Sequence, residues 1–232
     1  MYNQKAARRT ALFFNLFSVP LFFNNYYLFE GFTLLILIQL FFPFVSIFLL
    51  IKYEGVLSFD IDENNKKPHI ALCFLTSCIG VGLLGLKFNF ESYQSLWAPL
   101  FIVSSTVFII LIKLSELNFK SWVNCIQSLV VFICLFFYFF GLLLSINVLF
   151  DESSPTSKNG KISYKSKSVK LAYFSVDVKL EKEKVNHIQV DRQYYIQHQV
   201  DDNVTIQYHK GFLDIGWFHM EEAERFDFFK VL

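Results

Sequence analysis

The chain falls into five long apolar runs followed by a polar third. The runs lie near residues 11–29, 32–51, 70–86, 97–112 and 122–150. Each approaches or exceeds the roughly 20 apolar residues that a helix needs to cross a bilayer. Residues 32–51 contain no charge, and the fifth run is long enough to tilt or to project beyond the hydrocarbon. The first run carries Asn15, Pro20, Asn24 and Asn25, so it reads either as a span or as a re-entrant or interfacial segment. Lys5, Arg8 and Arg9 precede it as they would in a signal peptide. No small-x-small cleavage site follows, so it is expected to stay uncleaved.

After Phe150 the period changes. Residues 151–158 read as a polar linker, 159–219 as a β-rich domain and 220–232 as a tail with an amphipathic or interfacial pattern. Short runs of β-branched and aromatic residues predict strands near 160–166, 168–180, 184–190, 203–209 and 211–218. Ile162 with Tyr164, and Val204 with Ile206 and Tyr208, alternate with period two, as strands with one buried face do. His209-Lys210-Gly211 suits a tight turn, and residues 191–200 have the spacing of one short helix. Five strands and a helical turn in this length predict a small barrel of OB-like or SH3-like type. The expected fold class is therefore an α-helical integral membrane domain of about five transmembrane helices plus a small β-rich domain.

Positive charge assigns the sides. Lys5, Arg8 and Arg9 lie before the first run, Lys52, Lys66 and Lys67 between the second and third, and Lys113 and Lys120 between the fourth and fifth. The other short loops offer Glu30, then Lys87 with Glu91. Five spans with the N-terminus inside put every lysine-rich short loop in the cytoplasm and the β-rich domain outside.

Composition agrees with a lipid partner. Hydrophobic residues are 54 % of the 232, with 30 phenylalanines, and more than half of the charges fall after residue 150. A net charge of +1 without a basic stripe argues against nucleic acid. No ionisable residue falls well within a run, which argues against a proton-coupled pump. Gln39, Thr76, Ser77, Ser104, Ser105, Thr106 and Gln127 are read as interhelical hydrogen-bonding groups. Cys73, Cys78, Cys125 and Cys134 all lie in apolar runs and are read as free thiols.

Several motifs match in spelling alone. Residues 80–85, GVGLLG, copy a dinucleotide-binding fingerprint. They sit inside an apolar run, where Cys78, Gly82 and Gly85 near one helix face suit close helix approach. Asp60-Ile61-Asp62-Glu63-Asn64 opens like a calcium loop, but the sixth and twelfth positions are Asn65 and Ala71. Asn203-Val204-Thr205 is a glycosylation sequon that matters only in a eukaryotic secretory pathway. His187, His198, His209 and His219 have no metal-ligand spacing, so no metal and no cofactor is expected.

Three pieces carry a resemblance. They are Lys52-Tyr53-Glu54-Gly55-Val56-Leu57-Ser58-Phe59-Asp60, Asn147-Val148-Leu149-Phe150-Asp151-Glu152-Ser153-Ser154-Pro155, and Val204-Thr205-Ile206 with Lys210-Gly211 and Ile215-Gly216-Trp217-Phe218. Together they resemble a group of uncharacterised bacterial inner-membrane proteins with several N-terminal spans and a small β-rich C-terminal domain. The resemblance implies a bacterial cytoplasmic membrane, and it carries over no function, catalytic residue or cofactor.

The leading expectation is a non-enzymatic protein whose extracytoplasmic β-domain binds an envelope component or a protein partner. An immunity protein against an envelope toxin is one version, and a homo-oligomer another arrangement. The alternatives are a subunit of a channel or transporter, and a membrane enzyme acting on lipid or envelope polymer through Asp60, Asp62, Glu63 or Asp151. Candidate interaction or coupling residues are Tyr53, Glu54, Asp60, Asp151 and Trp217, with loop geometry and helix termination as their bland alternative.

Overall fold

The computed structural model describes residues 4–27, 33–58, 67–114, 122–168, 173–181 and 183–221. It combines a set of helices with a nearly closed six-stranded antiparallel sheet. Two compact units emerge, one from Met1–Gly85 and Trp97–Leu143, the other from Leu86–Leu96 and Leu144–Leu232.

The first unit holds α1 (Gln4–Tyr27), α2 (Thr33–Lys52), α3 (Ala71–Gly85), α4 (Trp97–Leu114) and most of α5 (Trp122–Leu149). Leu, Ile and Phe dominate α2 to α5, so helix formation meets little resistance. Pro20 and Pro43 are the interior exceptions, in α1 and α2. Within the first apolar run, α1 continues through Pro20 as far as Tyr27. By length and composition, Gln94–Lys113 and Trp122–Leu149 are able to cross a membrane.

Helix α3 is the buried member, and its glycines explain why. A methyl group on Gly80 would meet the Gln39 side chain of α2, and one on Gly82 would strike the Phe137 ring of α5 at 2.2 Å. Gly141 of α5 lies so close to α3 that an added Cβ would sit 2.0 Å from the Val81 carbonyl oxygen. The run that spells a nucleotide fingerprint is a helix-packing surface. The start of α3 has a borrowed cap. Asn15 of α1 accepts from the Cys73 amide at 2.9 Å and donates to the His69 carbonyl at 2.8 Å, satisfying groups that a helix end leaves open. Tyr138 of α5 donates to the Leu40 carbonyl at 2.7 Å, in the turn of α2 that Pro43 interrupts.

The second unit is built from β1 (Asn89–Phe90), β2 (Thr156–Ser168), β3 (Tyr173–Leu180), β4 (Lys184–Val190), α6 (Arg192–Gln197), β5 (Asn203–His209) and β6 (Trp217–Met220). The spatial order is β1-β6-β5-β2-β3-β4, with every neighbouring pair antiparallel. Its core gathers Ile162, Val176, Val178, Leu180, Ile188, Val190, Tyr194, Val204, Ile206, Phe218 and Met220. The expected short helix is α6, capped by Asp191, which accepts from the Tyr194 amide. Lys165 binds the Tyr195 and His198 carbonyls at its other end.

The sheet departs from the sequence expectation at three points. Val204 and Ile206 are buried as their alternation predicts, but Tyr164 is 57 % exposed. The pairing of β2 with β3 slips between Ile162 and Tyr164, and a bulge there turns the following side chains to the other face. The chain expected to pair over 211–218 is a loop as far as Gly216, and β6 begins at Trp217. The sixth strand, β1, comes from the short connection between the third and fourth apolar runs. It pairs with β6 through Asn89 opposite Phe218 and Phe90 opposite Trp217.

Asn89 also reaches the far edge of the sheet. Its carboxamide accepts from the Gln189 amide of β4 at 2.8 Å and donates to the Gln189 carbonyl at 3.2 Å. A side chain here copies one rung of a backbone ladder and links the first strand to the last. Sheet closure removes an exposed edge that would otherwise pair with other chains.

Candidate functional site

The strongest constellation in the sheet unit surrounds the end of α5. Asn147 lies in its last turn and is fully buried. Its Oδ1 accepts from the Leu213 amide at 2.8 Å and its Nδ2 donates to the Ile215 carbonyl at 2.8 Å. Its own carbonyl accepts from the Phe212 amide at 3.0 Å. One residue of the helix therefore holds three backbone groups of the loop between β5 and β6.

Asp151 completes the grip one turn later. Its Oδ2 accepts from the Trp217 indole Nε1 at 2.7 Å and from the Gly211 amide at 3.2 Å, and its Oδ1 accepts from the Ser153 amide at 2.9 Å. The Lys210 amide donates to Ser153 Oγ at 3.1 Å. His209 Nδ1 stands 3.6 Å from Asp151 Oδ2, with both side chains 2 % exposed. The His209 ring stacks on Trp217 at 4.2 Å between centroids, and both rings stack with His219. Burial pushes the Asp151 carboxyl upward, but the hydrogen bonds from Ser153, Trp217 and Gly211 outweigh it and hold the acid below its ordinary value.

Local backbone geometry makes this fit possible. Gly211 has φ of 79°, and a Cβ there would lie 2.4 Å from the Ile215 carbonyl oxygen and 2.5 Å from the Asn147 side chain. Glycine is the residue that combines a left-handed conformation with so close an approach.

Two candidates from the sequence, Asp151 and Trp217, thus form one hydrogen bond although 66 positions apart. Tyr53 and Glu54 lie elsewhere, in the turn that ends α2. The Tyr53 carbonyl accepts from Val56 and Leu57, and Gly55 takes φ of 73°. That is helix termination. Asp60, with Asp62 and Glu63, lies outside the described residues, as does the tail after Glu221. Asn147, Gly211 and Asn89 were not singled out as site residues. A polar residue near the end of an otherwise apolar run was the available signal for Asn147.

The chemistry of this site is positioning. Asp151 spends both oxygens on donors of its own unit, so it is poorly placed to activate water or a head group. Among the described residues no group of three or more His, Cys, Asp or Glu side chains converges to hold a metal. Asp177 is likewise structural. Its Oδ1 accepts from the His187 amide at 2.9 Å and its Oδ2 from Lys184 Nζ at 3.0 Å. This occurs where β3 and β4 slip register and His187 takes φ of 56°. Burial raises the Asp177 pKa, while the His187 amide and Lys184 lower it by more.

A groove of about 730 Å³ lies around Gly160, where β2 passes between β3 and β5. Asn159, Lys161, Lys179, Glu181, Asn203 and Thr205 give it a polar lining of both charges. No family model matches the chain, and no curated protein or solved structure matches it either.

Proposed function

We propose that the chain is a non-enzymatic, multi-pass protein of a bacterial cytoplasmic membrane that presents its sheet unit outside to an envelope component or protein partner. In this reading α1 to α5 are five spans, and the sheet is a small barrel of OB-like or SH3-like type. An immunity-type protein is one concrete form.

The observation that carries the membrane part is an inverted distribution of polarity in the helical unit. Leu16 and Phe41 are 63 % exposed, Ile102 64 % and Ile133 56 %, while Asn15, Ser18, Gln39, Ser46 and Ser77 are buried. Large apolar side chains exposed along four helices are unfavourable in water and expected against lipid. Asn15 joins α1 to the start of α3, as interior polar side chains do between membrane helices.

Those same polar groups favour packing over conduction. Asn15 is spent on α3, while Ser18, Ser46 and Ser77 donate to carbonyls of their own helices. The enzyme alternative draws no support from Asp151, whose oxygens are engaged.

Removal of residues 156–232 separates a binding module from a channel. The truncated chain is expected to remain membrane-inserted but to lose the larger complex that the full chain forms in gently solubilised envelopes, read by native electrophoresis. A truncated chain that still enters the same complex would contradict the proposal. So would ion flux through liposomes carrying it.

A further inference from the structure

We propose that the loop between β5 and β6 dips its tip, Phe212 and Leu213, into the lipid interface beside α5 and so seats the sheet unit on the bilayer. The inference rests on the membrane reading above and adds a lipid-contact surface to it.

Three observations meet at this tip. The first is exposure. Phe150, Phe212 and Leu213 are apolar and 58 %, 59 % and 36 % exposed, and the Phe150 and Phe212 rings lie 6.0 Å apart. They make one patch around the end of the helix.

The second is depth. After Gln127 and Ser128, α5 and the residue following it run apolar from Leu129 to Phe150, interrupted only by Ser145 and Asn147. Those 22 residues extend about 33 Å at 1.5 Å per residue, close to the hydrocarbon thickness of about 30 Å. The loop amides of Phe212 and Leu213 bond to Asn147. They therefore sit near its level, three residues or roughly 5 Å before Phe150 along the helix axis. Interfacial apolar groups bury about 5–10 Å at the boundary between head groups and acyl chains.

The third is satisfaction of polar groups. Backbone at such a depth must find partners within the protein. The Phe212 and Leu213 amides and the Ile215 carbonyl all find Asn147, which is itself the sole amide side chain in that stretch of helix. The one exposed charge pair of the loop, Lys210 with Asp214 at 2.7 Å, flanks the apolar tip, as residues that remain among head groups would. The patch includes Phe150 at the end of the apolar stretch of α5, so lipid is the occupant to which it fits.

The test is spin-label depth in the full-length chain, reconstituted in vesicles of phosphatidylethanolamine and phosphatidylglycerol. Labels are placed by Leu213→Cys, by Ile133→Cys in the middle of α5 and by Ile196→Cys on α6. Cys73, Cys78 and Cys134 are buried, so Cys125→Ala is the one accompanying change. Each label is then read for collision with oxygen, which concentrates in lipid, against a water-soluble nickel chelate. Oxygen favoured at 213 and 133, with the chelate favoured at 196, is the expected result. A label at 213 that behaves like 196 while 133 remains in lipid overturns the inference and leaves the membrane reading standing. Chelate access at 133 overturns both.

Discussion

Asn147→Ala tests whether the end of α5 carries the sheet. The substitution removes two side-chain hydrogen bonds and leaves the Leu213 amide and the Ile215 carbonyl without their partner. The Ile215 carbonyl bond is buried and the Leu213 amide bond partly so; an orphaned group costs about 1–3 kcal/mol when fully desolvated, which bounds the two at about 2–6 kcal/mol. Alanine returns about 0.5 kcal/mol of helix propensity relative to asparagine. A net loss of about 2–5 kcal/mol remains. With a urea slope of about 2 kcal/mol per molar for a small domain, the midpoint falls by roughly 1–3 M. Trp217 is the natural reporter, because its indole N–H is bonded to Asp151. With Trp97→Phe and Trp122→Phe its fluorescence follows the sheet alone. Asn147→Leu, which keeps the γ-branched shape but is bulkier and cannot hydrogen-bond, should lose at least as much. A midpoint unchanged within about 0.2 M for both variants would refute the reasoning.

Other expectations follow from the same contacts. Gly141→Ala places a methyl carbon 2.0 Å from the Val81 carbonyl oxygen, a backbone atom that cannot swing away. It should cost about 1–3 kcal/mol through overpacking, read as a lower melting temperature of the helices in detergent. Asn89→Ala removes the rung between β1 and β4, so hydrogen exchange at the Gln189 amide should accelerate markedly while Ile206 and Val178 stay protected. Asp151 and Asp177 both titrate below their ordinary value. Their contribution is therefore complete above about pH 4 and is lost as pH falls through the depressed values. Acid titration of the Trp217 signal should show the sheet weakening below about pH 4, and Asp151→Asn should flatten that dependence.

The legible parts of this chain were those with local signals. Five apolar runs are visible in composition, and each overlaps one of the five long helices among the described residues, although α1 begins at Gln4, before its run. Val204 and Ile206 declared an inward face by alternation, and Asp191 declared a helix start. What stayed hidden depends on partners distant in sequence. A two-residue strand at Asn89 has no period to read, and its pairing partner Phe218 lies 129 positions away. Tyr164 carried the right alternation and was turned outward by a bulge that no residue type marks. Asp151 and Trp217 stood out separately, at a helix exit and in an aromatic strand, but nothing in either context revealed the bond between them. Close helix approach, expected at Gly82, occurs there and also at Gly80, which lies on another side of α3. Their partners, Gln39 and Phe137, follow only from the arrangement of three helices.

The central claim is a sheet carried outside the membrane by the last of five spans. The direct measurement is the side reached by a protein fused after Leu232. Alkaline phosphatase, active only outside the cytoplasm, should be active there, and a fluorescent protein that matures only inside should stay dark. Cytoplasmic fluorescence with an inactive phosphatase would contradict the account, since it requires an even number of spans or an inverted chain, and it would direct the search for a partner to the cytoplasm.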